Sequence, residues 1–473
     1  MTFVHESPAE VHPSMIAAPP SMELTPKTDH LRRDLYLLVL PVLAEQLLIF
    51  GIGFFDTLLS GQLGKAETSA IGLAAYVSWL GSVIFGVVGV GANAIVARHW
   101  GAGDFNEARR VTARSLTLSF FVGAIVFCLL RELASPFALL MRMDGEQHRI
   151  AVEYLRFDAW SQFFAAFTQI AACSLRGAGD MRTPLLVLTF TNVVNVLVAS
   201  ACMWGWGPFP EMGVTGIVTG TVIAQVCGAC LMAVLLFSGR SKLHLRLSEF
   251  GFDSATTRRI TRVGGPAALA GIAKVSGHFA FLMVISRLSV GSFDGAAFAA
   301  HFVGVRIEAL SYLPAEAFGI AAASLIGQAL GAGDLDRARR AGRLAVRQCI
   351  GYAGMMTLVF FVLAPWIYEH MHRDPAVGLI GVPAFRLMSL YQIPNAILIV
   401  YTCCLMGAGD TRFPLYCSLI GNVIVRVGLG YLCGVYWQGG LFGAWIGMGA
   451  DNILRSMLIA WRYHAGHWVH TKV

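Results

Sequence analysis

Asp56 stands in the segment Gly51-Ile-Gly-Phe-Phe-Asp56-Thr57-Leu-Leu-Ser60-Gly61-Gln62-Leu63-Gly64, where almost every neighbour is apolar or small. A carboxylate placed inside a membrane costs several kcal/mol unless it is paired, hydrated or protonated, so such an acid marks a functional site by default. Its chemistry would be proton binding from one side of a membrane and release to the other. The alternative is a structural ion pair or a hydrogen bond to Thr57; the functional reading is favoured.

Other polar residues fall in apolar runs: Glu45, Lys274, His278, His301, Arg306, Glu308, Glu316, Arg426, Asp451 and Arg455. Asp451 and Arg455 are four apart and read as a structural pair on one helix face. Glu308 is expected to reach Lys274 on the neighbouring helix, and the two histidines read as satisfied core residues. Asn192 and Asn195 put two amides on one face, either to bind cargo or to cross-link helices. Tyr76 and Trp79 could stack on an organic cation, or serve as packing or interfacial anchors.

The elements that must position these groups follow from composition. Of 473 residues, 56% are hydrophobic and 13% charged, where soluble proteins carry about 25% charged residues. Runs such as Ser115 to Leu130 and Ile350 to Trp366 are apolar on every face, which excludes a transmembrane β-barrel and leaves helix as the way to satisfy the backbone. Spans are expected near 35–60, 69–97, 114–133, 150–175, 184–206, 213–238, 264–288, 296–329, 344–367, 379–406, 414–434 and 441–461. The fold class is thus all-α integral membrane. The ten cysteines lie in apolar runs and indicate neither disulfides nor zinc; Cys227 and Cys230 have redox spacing but lack electropositive surroundings.

Positive charge alternates along the joins. Arg109, Arg110 and Arg114, then Arg176 and Arg182, then Arg240 to Arg262, then Arg337 to Arg343 follow alternate spans, while the joins Gly205 to Met212 and Tyr436 to Gly440 lack Lys and Arg. The arginine-bearing joins, and both chain ends, should be cytoplasmic. The net charge of +7 is loop charge suited to anionic head groups and requires no nucleic acid.

Gly101-Ala-Gly-Asp104 recurs at Gly331-Ala-Gly-Asp334, and Gly177-Ala-Gly-Asp180 at Gly407-Ala-Gly-Asp410, each pair at an offset of 230 residues. One shared offset implies a duplicated six-helix bundle, the copies related by an axis along the membrane normal and enclosing a cleft. Glycine would end one helix in a left-handed cap and the aspartate would cap the next, so the four aspartates read as loop-shaping. Expected divisions are a flexible N-terminal tail over 1–33, a first lobe over 34–238, a linker over 239–263, a second lobe over 264–462 and a tail over 463–473.

This ordered set, with Pro41 before Asp56-Thr57 and Gly64 and with Gly327-Gln328 before the second-half motif, resembles the multidrug and toxic compound extrusion (MATE) family over residues 34 to 463. The resemblance implies cation-driven export of amphipathic, often cationic compounds without nucleotide. Asp56 matches the family's first-helix coupling aspartate, and Asn195 resembles the asparagine of the proton-coupled, DinF-like branch, although Ala199 replaces that branch's second aspartate. Lys274 and Asn395 stand where the sodium-coupled, NorM-like branch has a glutamate and an aspartate. A charged lysine cannot ligate sodium and an amide carries no proton, which favours proton coupling through Asp56, with Asn195 as its hydrogen-bond partner.

Asn192, Lys274, Glu308, Asn395, Tyr76 and Trp79 remain as substrate or second-lobe positions. The reading is thus a monomeric antiporter of the inner membrane with no metal or cofactor, a proton or else a sodium gradient as its energy source, and small organic cations and the bilayer as its partners. Alternatives are a flippase for lipids or lipid-linked oligosaccharides and a sodium-coupled drug antiporter. No HExxH or GxSxG run supports an enzyme, and no GxxxxGK[ST] loop would hold ATP.

Overall fold

The computed structural model describes residues 28–471 apart from 64, 142, 208 and 290–294, and without the side chains of 28, 29, 54, 56–63, 65, 66, 68, 69 and 289. The expected N-terminal tail therefore falls mostly outside the described residues, as do the side chain of Asp56 and Gly64.

Among the described residues all regular structure is helical: α1 (Thr28–Leu63), α2 (Lys65–Gly101), α3 (Phe105–Leu140), α4 (Gly145–Gly177), α5 (Arg182–Trp204), α6 (Val214–Phe237), α7 (Ser254–Ser286), α8 (Ala296–Gly331), α9 (Leu335–Met371), α10 (Pro375–Leu390), α11 (Gln392–Gly407), α12 (Arg412–Tyr436) and α13 (Gly440–Ala465), with a few short turns between. Nine of these are long and apolar enough to cross a membrane, and α10 with α11 forms one further bent crossing. The more polar α4 and α13 complete the twelve crossings expected from hydropathy.

Several boundaries differ from expectation for physical reasons. The span expected over 379–406 is broken by 52°. Pro394 has no N–H to offer the Leu390 carbonyl, so the ladder stops there and restarts when the Asn395 N–H reaches the Tyr391 carbonyl at 3.0 Å. The linker expected to end at 263 is already helical from Ser254, because Asp253 caps the amides of Ala255 and Thr256. The tail expected from 463 is ordered as well: Trp468 is fully buried, stacks on Tyr463 and donates its indole N–H to the Tyr463 carbonyl at 2.7 Å.

The core is divided among several clusters. Two join α2, α3, α4 and their neighbours in the first half, including Phe85, Leu155, Ile95 and Ile170. One gathers Phe360, Phe385 and Trp445 in the second half. The fourth crosses between halves, since Leu31, Leu35, Val39 and Val42 of α1 pack with Phe318, Cys349 and Tyr401. Five prolines lie within the long helices α1, α3, α7, α8 and α9. Neighbouring helices and local adjustments re-satisfy the backbone groups they free.

Candidate functional site

The four repeated tetrapeptides lie at one face of the bundle, where they end α2, α4, α8 and α11. Gly103, Gly179, Gly333 and Gly409 all have left-handed φ, between 75° and 90°. Asp104 accepts from the Glu107 amide at 3.1 Å, Asp180 from the Thr183 amide at 3.0 Å and Asp334 from the Arg337 amide at 2.8 Å, as the loop-shaping reading requires. Asp410 departs from it. That carboxylate is buried and accepts from Nε of Arg462 at 2.8 Å, because α13 brings a guanidinium to this corner and a charge-assisted bond outcompetes an amide.

At this face the two halves touch backbone to backbone. A Cβ at Gly101 would collide with the Gln328 carbonyl, and one at Gly331 with the Arg98 carbonyl. Farther along, α2 runs beside α7, with Gly91 against the Ile260 carbonyl and Gly264 against that of Val87. Beyond these contacts Tyr76 and Trp79 are 37% and 36% exposed on α2; Tyr76 lies 5.3 Å from the Phe279 ring and Trp79 meets His278 edge-on at 6.3 Å. Both aromatics thus stand on the boundary between the halves. Glu45 of α1 is bonded to Arg176 at the end of α4, so an arginine expected to be loop charge instead neutralises a buried acid.

In the first half, the Asn195 Nδ2 donates to Thr221 Oγ1 at 3.1 Å, joining α5 to α6, while its Oδ1 and the Asn192 Nδ2 are buried without a hydrogen-bond partner among the described residues. Whether Asp56 meets Asn195 lies outside the described residues. Asp158 of α4 was not singled out from the sequence, yet it is 4% exposed and accepts from three side chains. Its spacing to Ser161 and Gln162, three and four residues on, was a legible sign of a polar helix face.

Residues 41–200 and 259–432 match the MatE family model, so both halves of the duplicated chain are covered. The chain belongs to the MatE family. The MatE chain is 28% identical over 438 residues to the probable multidrug resistance protein NorM of Thermotoga maritima, spanning 93% of each sequence. It is 24% identical to the multidrug resistance protein PmpM of Pseudomonas aeruginosa, over 87% of this chain and 89% of that one. Its fold matches an outward-facing multidrug resistance MATE family transporter of the MOP superfamily with a TM-score of 0.85 at 21% identity, covering 93% and 97% of the two chains. A mutant form of the Vibrio cholerae MATE transporter VcmN gives 0.85 at 20% identity, over 94% and 99%.

The second half of this MatE chain carries a denser charged cluster. Arg455 holds both oxygens of the fully buried Asp451 at 2.5 Å, and Nε of Arg426 adds a bond of 3.0 Å to the same carboxylate. The expected pair is therefore part of a triad, in which Asn452 also accepts from both guanidinium groups. Arg426 follows a wide π-helical stretch, Leu419–Val425, whose turns take more residues than those of an α-helix. Glu308 is buried near Gln392, whose amide donates to the Met388 carbonyl at 3.3 Å at the α10–α11 break.

The expected Glu308–Lys274 pair is corrected: among the described residues they form no ion pair, and Lys274 is exposed on α7. Exposure spares the lysine its desolvation. His301 is a satisfied core histidine, accepting from the Trp445 indole at 3.1 Å, whereas His278 is half-buried at the α2–α7 boundary. Arg306 lies 5.3 Å from the Phe50 ring of α1. Asn395 lies in the first turn of α11, half-buried, and its side chain joins none of these clusters. No group of three or more His, Cys, Asp or Glu suited to a metal occurs among the described residues.

Proposed function

We propose that this chain exports small amphipathic organic cations in exchange for protons, by alternating access between two six-helix lobes, α1–α6 and α7–α13. The supporting observation is the glycine-on-carbonyl closure between halves at the motif face, with Tyr76 and Trp79 left part-exposed farther along the same boundary. Backbone contacts of this kind are all-or-none, since closely packed interfaces are bistable instead of continuously deformable. The alternation of arginine-rich joins supports a cytoplasmic motif face and cytoplasmic termini. The cargo reading draws on the multidrug resistance names of the relatives.

Proton coupling is favoured over sodium by three features. Lys274 and Asn395 replace acids in the second half, Asp451 is held by two arginines, and the first half retains Asp56 with the Asn195–Thr221 pair. In these respects the chain is closer to the DinF-like branch, although relatives bearing the NorM name match it well. Protonation of Asp56 would favour one packing of α1 and cargo the other, so the two ligands compete through a shared equilibrium. The test is efflux of a fluorescent cationic dye from proteoliposomes under imposed proton or sodium gradients. Wild type should respond to the proton gradient and Asp56→Asn should lose that response; full proton-driven efflux by the variant would overturn the reading.

A further inference from the structure

Asp158 lies in α4 among apolar residues of the first-half core, with Tyr154, Leu155 and Ala159 on its own helix and Val77 and Phe85 on α2. Three neutral donors surround it. Ser161 Oγ donates to Oδ1 at 2.6 Å, and Ser78 Oγ of α2 donates to Oδ2 at 3.1 Å. Gln162 Nε2 reaches Oδ2 at 3.3 Å while also donating to Ser78 Oγ at 2.9 Å. A Cβ at Gly81 would stand 3.2 Å from the Gln162 carbonyl oxygen, so the small residue is what lets this polar ridge of α4 reach α2.

Among the described residues no cation neutralises this carboxyl. Arg131 of α3 is turned to the Phe127 ring, 5.7 Å from its centroid, and the buried α3 residues of this core are Val126, Leu130, Ala134 and Ala138. The α6 sequence holds no ionisable side chain other than its cysteines, and α5 holds only Arg182 and Cys202. Lys65 and Glu67 open α2 roughly 16 to 20 Å along the helix from Ser78. Arg149, Glu153, Tyr154 and Arg156 precede Asp158 on its own helix, and Arg149 pairs with Glu146 and Glu153. At the far end of α4, where α8 approaches, Arg176 is bonded to Glu45.

We propose that Asp158 is a proton-binding site of the transport cycle, in addition to Asp56, and that its protonation reverses the Ser78 hydrogen bond between α2 and α4. The inference rests on the proton-coupled reading above. In the ionised state all three donors point at the carboxylate. When a proton binds on Oδ2, the carboxyl gains an O–H that donates to Ser78 Oγ, and the Ser78 hydroxyl turns its own hydrogen away. A serine in a helix then finds the carbonyl one turn back on its own chain. The bond between α2 and α4 is thereby reversed one residue from Trp79, which faces His278 across the boundary between halves, while Gln162 continues to donate to Ser78 Oγ. A proton taken up inside the first half is thereby felt where the halves meet.

Infrared difference titration of the reconstituted protein tests this by reading the stretching band of protonated carboxyl groups. Wild type should show a pH-dependent band with one component that disappears in Asp158→Asn and persists in Asp56→Asn, and Asp158→Asn should flatten the pH profile of dye efflux. Ser78→Ala keeps the carboxyl but removes one donor to its ionised form, and should move the midpoint of the same band upward by about one pH unit. That variant decides the matter if Asp158→Asn cannot be purified. A band unchanged in Asp158→Asn, a midpoint unmoved in Ser78→Ala, or a wild-type pH profile in Asp158→Asn each overturns the proposal. Failure of Asp56 alone would appear as intact efflux in Asp56→Asn with the Asp158 band still present, so the two failures are separable.

Discussion

Arg98 of α2 donates to the Ala408 carbonyl of the last tetrapeptide at 3.2 Å. Gln328, which stands 230 residues after Arg98, makes the corresponding bond in the other direction, to the Gly177 carbonyl at 2.9 Å. The two bonds are near images of one another under the sequence duplication, and both span the halves. Around them Gly101 faces the Gln328 backbone and Gly331 the Arg98 backbone, again as a reciprocal pair. The duplicated motif thus shapes four loops and also supplies the surface through which the duplicates close on each other.

A methyl group at Gly101 or Gly331 should open this closure. Forcing one methyl into a packed site costs about 1–3 kcal/mol, or roughly a five- to 150-fold change in the closed population. Spin labels at Ala102 and Ala332, measured by pulsed electron resonance, should report longer distances in Gly101→Ala than in the unsubstituted pair. An unchanged distance distribution would show that the backbone approach does not hold the closed state.

Asp451→Asn leaves two guanidinium groups facing each other without their shared carboxylate. Removing one partner from a buried ionic group costs about 3–5 kcal/mol, so the midpoint of thermal unfolding in detergent should fall clearly. Lys274→Met, at an exposed lysine with no ion pair among the described residues, should leave that midpoint nearly unchanged. Equal effects of the two substitutions would contradict the assignment of the triad.

Trp79→Ala should weaken binding of an aromatic cationic dye. Cation–π contacts contribute about 0.5–2 kcal/mol, which corresponds to a roughly two- to thirtyfold rise in Kd measured by fluorescence anisotropy. Trp461→Ala, on an exposed face of α13, serves as the control and should leave Kd unaltered.

Asp253, outside the spans, is held below the usual carboxylate range by the Thr256 hydroxyl and amide, with Arg114 contributing less. A carboxylate so depressed contributes stability that is present above its unfolded value and lost as pH falls through its folded one. The difference in unfolding temperature between wild type and Asp253→Asn should therefore be full at pH 6 and shrink on acidification. A difference independent of pH would mean that the cap acts without its charge.

Much of the architecture was legible in one sequence because a membrane leaves a chain little choice. Apolar runs must become helices, prolines and glycines must punctuate them, and a single offset of 230 residues reveals the duplication. The motif aspartates were readable as caps because capping is a local interaction over three residues, and Asp451 with Arg455 because four residues make one helical turn.

Tertiary structure decided everything that depends on which helices meet. Glu45 found Arg176 across 131 residues, Asp410 left its cap for Arg462, and Glu308 settled beside Gln392 instead of Lys274. Asp158 gained meaning only when α2 brought Ser78 to it. The physical reason is common to all four: a buried charge takes the best donor that packing delivers, and packing between distant helices is set by shape, which hydropathy and spacing along one chain do not encode.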